Sequence, residues 1–299
     1  MSRRGRGKGK DQGRTPIPGS RPPAGGRGET GEHALLEVRE LEKGFAHPPG
    51  AARSGAGRAT GAARTPAAQR VIAGLSFSIG YGEFVTVAGP SGCGKSTLLR
   101  LLGGFLSPDS GSVLYRGREV HEPDPTRVMM FQEFDQLFPW KTVGGNVEFP
   151  LSAGKENGRP AAGQRRSRTR DMLQEVGLAG YEGYYPHQLS GGMKQRAALA
   201  RTLIGRPEVV LMDEPFGSVD AQKREELQDL LLSIRRGRSF SAVFVTHDIQ
   251  EAVYLADRVV VMGESGEELR AEIPVGIDRP RDREDERLEE LRARIRGLL

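Results

Sequence analysis

The chain has 299 residues, 36% of them hydrophobic, and a formal net charge of +5. That length holds one large domain or two small ones, with enough apolar content for a packed core. Apolar runs such as Val259–Met262 are too short to cross a bilayer, and a single cysteine, Cys93, excludes an intramolecular disulfide and a cysteine metal cage.

The charge is unevenly placed. Residues 1–30 carry eight basic side chains against two acidic ones, so the remainder is slightly acidic. Residues 1–32 are rich in Gly, Pro and Arg, which predicts a disordered basic tail that acts as a solvated extension. No apolar segment opens the chain, so no signal peptide is expected and the protein is expected in the cytosol.

Alternating apolar residues from Leu35 to Phe45 predict a strand. Residues 46–69 lapse into Ala, Gly, Pro and Arg and read as a flexible insertion. The β pattern resumes at Val71-Ile72 and Leu75–Ile79, turns at Gly80–Glu83, and continues as a buried strand to Ala88. Gly89-Pro90-Ser91-Gly92-Cys93-Gly94-Lys95-Ser96-Thr97 comes next, then the helix-prone Leu98–Leu102. Strand, glycine loop and helix in this order form the phosphate-binding pattern G-x-x-x-x-G-K-S. Gly89, Gly92 and Gly94 let the backbone curl so that its N–H groups face an anion. Lys95 places a compact charge on the β- and γ-phosphates, Ser96 offers a hydroxyl to Mg²⁺, and the helix opening at Thr97 adds its positive dipole end.

Further on, Ser112–Tyr115 and Arg127–Phe131 predict strands, the second ending at Gln132. A helix spans Arg168–Val176 and another opens after Ser190. Val209–Met212 is a strand, Gln222–Arg235 an amphipathic helix, Ala242–Val245 a strand, Ile249–Ala256 a helix and Arg258–Met262 a strand. Alternation of strands and helices implies an α/β fold with a mostly parallel sheet covered on both faces.

Two carboxylates, Asp213 and Glu214, end the apolar run Val209–Met212. A buried strand thus delivers Asp213 to a Mg²⁺ shell, while Glu214, pointing differently, polarises an attacking water. Leu189-Ser190-Gly191-Gly192-Met193 opens a helix between the loop and this acidic strand, another place where bare N–H groups meet an anion.

With that segment the chain resembles the ATP-binding-cassette (ABC) ATPases over about residues 33–265. Leu189–Gln195 is similar to the family's signature motif. The resemblance implies a P-loop core with a mostly parallel sheet, an antiparallel β-subdomain, a helical subdomain near residues 150–190 and a short C-terminal extension over 266–299. It implies ATP and Mg²⁺ as ligands. It also implies a homodimer or paired cassettes, in which Ser190, Gly191 and Gly192 of one chain contact the nucleotide held by the other's loop. Phe45 resembles the aromatic that stacks on adenine. Gln132 resembles the glutamine that touches Mg²⁺ and senses the γ-phosphate, and Asp220 lies in the segment that crosses the dimer. His247 resembles the switch histidine beside the γ-phosphate. Ser218-Val219-Asp220 departs mildly from the usual Ala-Leu-Asp.

Phe134–Trp140 reads as an aromatic docking surface, which in the family grips an integral membrane permease. Leu137–Trp140, Tyr185–Gln188 and Thr246–Ala252 resemble the importer branch for nitrate, sulfonate, taurine and related small anions, and Ile273–Arg281 resembles its tail. The expected role is the ATP-hydrolysing subunit of such an importer, peripheral on the cytoplasmic face of the membrane and served indirectly by an extracytoplasmic solute-binding protein. The alternative is a soluble cassette acting on nucleic acid or ribosomes, or an importer subunit for another solute. No coiled coil separates loop from signature and only one loop is present, so no nucleic acid is expected. A regulatory module using the basic tail is a third reading.

Overall fold

The structure is a computed structural model that describes residues 34–45, 69–131, 136–153, 160–263 and 269–299. The sequence expectations for residues 1–32 and 46–68, and for Gln132 and Phe134, lie outside the described residues.

One sheet is antiparallel, in the order β2 (Gln69–Gly80), β1 (Ala34–Phe45), β4 (Ser110–Tyr115), β5 (Arg118–Glu119). The other runs β10 (Leu269–Pro274), β9 (Arg258–Met262), β3 (Phe84–Ala88), β8 (Ser241–Val245), β7 (Val209–Asp213), β6 (Arg127–Met130). Its strands are parallel from β9 to β6, and β10 joins the edge antiparallel. Helices α1 (Lys95–Leu102), α2 (Val143–Ala153), α3 (Ala162–Glu175), α4 (Gly191–Leu203), α5 (Ala221–Gly237), α6 (Ile249–Leu255) and α7 (Glu286–Arg296), with a 3-10 turn at Pro186–Gln188, complete the described elements.

The parallel strands read as continuous apolar runs because both sheet faces are buried. Alternate residues go to different cores. Val210, Met212, Ala242 and Phe244 pack with the helices α2 to α7. Val209, Leu211, Val243 and Val245 pack with α1 and the antiparallel sheet. Phe84, Phe244 and Phe216 form a chain of rings through the first core, with centroids 6.0 and 5.7 Å apart.

Three helices differ from the sequence reading, which names neither α2 nor α7 and starts α3 later. The sequence reading names no helix over 143–153, and the two glycines and Pro150 there oppose one. It forms because tertiary partners take over its start: Val143 N donates to Tyr184 O at 2.7 Å, and Gly144 N to Glu182 O at 2.9 Å. Buried Asn146 donates to the carbonyls of Phe138, Lys141 and Thr142 and accepts from Phe138 N, tying the preceding loop to the helix. Helix α3 begins at Ala162, ahead of the expected Arg168; its first turns are largely exposed and carry no apolar periodicity.

The C-terminal stretch supplies β10 and α7, and its Ile273, Val275, Ile277, Leu288 and Ile295 enter the first core. Asp257 fastens this region. Its carboxylate accepts from Phe84 N at 2.9 Å and Arg235 Nη2 at 2.8 Å, and it pairs with Arg279. Burial pushes that carboxyl up, but Arg235 and Arg279 outweigh burial and hold it below its ordinary value. The folded state therefore binds fewer protons here; the stabilisation is present above the unfolded acid's pKa and fades as pH falls through the native one. Asp257→Asn is expected to cost about 2 kcal/mol at neutral pH. The gap from the parent chain should close on acidification below about pH 4 in urea unfolding over a pH series.

Candidate nucleotide-binding and catalytic site

Strand register builds the site. Val87, Val245 and Asp213 stand in one row across β3, β8 and β7. Glu214 N donates to Val245 O at 3.0 Å and Thr246 N to Val87 O at 3.3 Å, so the three strands end together. Three groups consequently emerge along one edge: the glycine loop after β3, Glu214 after β7 and His247 after β8.

The loop closes over the start of α1. Gly92 and Gly94 have φ of 82° and 101°, a region that side chains disfavour. A Cβ on Gly94 would lie 2.6 Å from Val71 O. Gly94 is the N-cap of α1 and has no side-chain acceptor, which leaves the first helical N–H groups for an anion. Cys93 and Lys95 are buried, whereas Ser91 and Gly92 are exposed at the loop's tip next to Pro90. Lys95 Nζ donates to Gly89 O at 2.8 Å and Pro90 O at 2.9 Å, bridging the loop from within. Ser96 and Thr97 lie in the first turn of α1.

The acidic edge meets the loop directly. Ser96 Oγ donates to Asp213 Oδ1 at 3.0 Å. Burial pushes the Asp213 carboxyl above its ordinary value, opposed by that hydrogen bond. A hydroxyl and a buried carboxylate side by side are the hard oxygen donors that suit Mg²⁺, so the residues present fit that ion. Glu214 has a φ of 42°, left-handed backbone that is strained for a non-glycine residue. Its turn is closed by Gly217 N donating to Glu214 O at 3.1 Å. The carboxylate then meets His247: Nδ1 lies 2.9 Å from Glu214 Oε2. An ionised carboxylate only accepts, and the tautomer with hydrogen on Nδ1 makes this contact a hydrogen bond. The imidazole is 61% exposed and the Glu214 side chain 20%, so the pair opens outward.

A second surface gathers the signature. Ser190 caps α4, accepting from Met193 N at 3.4 Å, and Gly191 and Gly192 are its first residues. Asp220 caps α5 and accepts from Lys223 N and Nζ at 3.0 and 2.6 Å. Those bonds to Lys223 hold its carboxyl below the ordinary range. Ser190, Gly192, Asp220 and Lys223 line one cavity of about 480 Å³. Phe45 ends β1 with its ring 42% exposed and Lys43 Nζ 5.8 Å from the centroid. Trp140 is 70% exposed and stacks on Phe138 at 5.4 Å, and Arg201 covers Phe138 at 4.5 Å.

Sequence reading gives Thr246 and Glu251 no role beyond the importer-like stretch Thr246–Ala252, yet they pack behind His247 (Thr246 Oγ1 to Glu251 Oε2, 2.6 Å). The signal was the acidic residue three positions after Asp248, which reads as an ordinary helix cap. Among the described residues no cluster of three or more His, Cys, Asp or Glu could hold a metal, and no helix is long and apolar enough to cross a membrane.

A parallel sheet whose strand ends carry this loop, an acid pair and a histidine defines a P-loop nucleoside-triphosphate-binding protein. The ABC transporter family model matches residues 72–217. The aliphatic sulfonates import ATP-binding protein of Burkholderia lata is 44% identical over 225 residues, 75% of this chain and 79% of that one. The nitrate import ATP-binding protein of Synechococcus elongatus is 44% identical over 214 residues, covering 71% and 77%. A dimeric post-hydrolysis structure of an ATP-binding cassette bound to ADP and phosphate superposes with a TM-score of 0.65 at 26% identity, covering 82% of this chain and 100% of the other. The chain therefore belongs to the ABC transporter family as one of its ATP-binding proteins, and it is an ATPase with the ABC ATPase fold.

Because Gly94 combines a positive φ with a backbone neighbour that cannot retreat, Gly94→Ala is expected to cost about 1–3 kcal/mol of stability. It should also abolish binding of a fluorescent ATP analogue; binding equal to the parent chain would show that the cradle does not need this geometry.

Proposed function

We propose that the chain is the ATP-hydrolysing subunit of an importer for a small anion of the sulfonate or nitrate class. The contact between His247 and Glu214, beside the Ser96–Asp213 pair, is the observation that carries the hydrolytic part of this reading. The loop residues Gly89 to Thr97 bind the phosphates through backbone N–H groups and Lys95, and Phe45 stacks on the base. Ser96 and Asp213, with Gln132, would hold Mg²⁺, whose charge when bound offsets that of the phosphate oxygens. On this reading Glu214 accepts the proton of an attacking water, and His247 fixes the direction of that carboxylate and meets the γ-phosphate.

Ser190, Gly192 and Asp220 share a cavity of their own beside Gly191, which suits a nucleotide presented by a second cassette. ATP then joins two copies, or this chain and a paired cassette, and hydrolysis separates them. The relatives named for sulfonate and nitrate import support the importer reading, as do Leu137–Trp140 and Thr246–Ala252. The exposed Trp140 on its Phe138 platform extends the aromatic surface expected from Phe134 onward to grip a membrane permease. That contact would hold the chain at the cytoplasmic face, with a solute-binding protein acting on the far side.

Glu214→Gln removes the base and keeps the shape. It is expected to bind ATP like the parent chain, to lose about 10²–10³-fold in turnover, and to elute as a dimer with ATP on size-exclusion chromatography. Normal turnover in a folded Glu214→Gln protein would sink the assignment.

A further inference from the structure

Asp248-Ile249-Gln250-Glu251 opens α6 and has the spacing of a capping box, in which the glutamate reaches back to the cap residue's N–H. Asp248 plays its part, accepting from Gln250 N at 2.8 Å and Glu251 N at 3.4 Å. Glu251 does not. The N–H of Asp248 goes instead to Thr246 Oγ1 at 3.0 Å, and that hydroxyl donates to Glu251 Oε2 at 2.6 Å. The other carboxylate oxygen accepts from Gln228 Nε2 at 3.1 Å. Gln228 Oε1 in turn accepts from Arg283 Nη1 at 2.6 Å. Arg283 lies 3.7 Å over the Tyr254 ring and donates to Asp229 at 2.8 Å.

Thr246, Gln228 and Glu251 are all at most 5% exposed. A carboxylate sunk among a hydroxyl and an amide is costly to keep unless it organises something. Burial pushes this one up, opposed by the bonds from Thr246 and Gln228. What it organises is the turn around His247. One hydroxyl, that of Thr246, is fixed at both ends and clamps the residues on either side of the histidine, whose own ring stands out toward solvent. The backbone on which His247 rides is therefore set from behind, by α5 and the C-terminal segment.

We propose that Glu251 is a positioning residue for His247, acting through Thr246 and anchored through Gln228 to Arg283. This rests on the reading of His247 as a group that meets the reacting phosphate. The bonds of the relay run to α5, α6 and the C-terminal segment and not to the glycine loop, so it should govern turnover and not nucleotide affinity.

The test is steady-state ATP hydrolysis by the full-length chain with parallel ATP-binding titrations. Thr246→Val keeps the volume and deletes the hydroxyl. It is expected to lower kcat by about tenfold or more, with KM and the ATP Kd within about twofold of the parent. Thr246→Ser should restore kcat. Glu251→Gln should fall in the same way, and Thr246→Val/Glu251→Gln should be no slower than the slower single variant, because both break one chain. Arg283→Ala, at the outer end, should show a smaller fall in kcat at unchanged KM. Parent-like kcat in folded Thr246→Val and Glu251→Gln, additive losses, or a rise in KM at constant kcat would each overturn the proposal. His247→Ala separates the layers. If it loses turnover while the relay variants do not, only the relay fails; if it hydrolyses ATP normally, the role of His247 falls and the relay with it.

Discussion

Three neighbouring strands, β3, β8 and β7, end in step, and the chemistry depends on that. The row Val87, Val245, Asp213 sets the height at which the loop, the histidine and the acids leave the sheet. The alternation that buries Val85 and Val87 on one face and Phe84 and Ala88 on the other also fixes this row. A slip of one residue in any strand would invert its faces. Packing and catalysis thus share one constraint. The pair of cores that stabilises the sheet also holds Ser96, Asp213 and Glu214 within reach of one another.

The edge of the sheet is held by charge as much as by apolar packing. Asp257 takes a backbone N–H from the start of β3 and guanidinium groups from α5 and the C-terminal segment. Arg258, next in sequence, pairs with Glu83 at 2.8 Å and with Glu272 of β10. Residues distant in sequence are drawn to the entry of the strand that launches the glycine loop. The C-terminal segment is consequently part of what orients the site, although it carries no phosphate-binding pattern of its own.

Much of this was legible in the sequence. The buried strands announce themselves as short apolar runs, and the loop's pattern dictates both its partner strand and its helix. Asp213 and Glu214 are readable from an apolar run that ends in acids. The parts that escaped are those decided by distant contacts. Helix α2 carries two glycines and a proline, and the carbonyls of Glu182 and Tyr184, the side chain of Asn146 and the burial of Val143, Val147 and Leu151 hold it in place. The first turns of α3 face solvent and show no period. Glu251 has the spacing of a capping residue, and local spacing cannot reveal that Thr246 and Gln228 claim its oxygens. The positive φ of Glu214 likewise has no signature in a residue type that rarely adopts it.

Lys95 holds two carbonyls of its own loop, Gly89 O and Pro90 O. An arriving ligand therefore competes with acceptors already in place. A neutral acceptor offers the ammonium nothing better than it has, whereas a multiply charged phosphate adds the attraction of opposite charges. In the proposed nucleotide-binding role, the lysine changes partners for a group that carries enough negative charge. Selectivity for the end of a polyphosphate tail then begins before any base is recognised, in a contest between one cation and the peptide groups that cradle it.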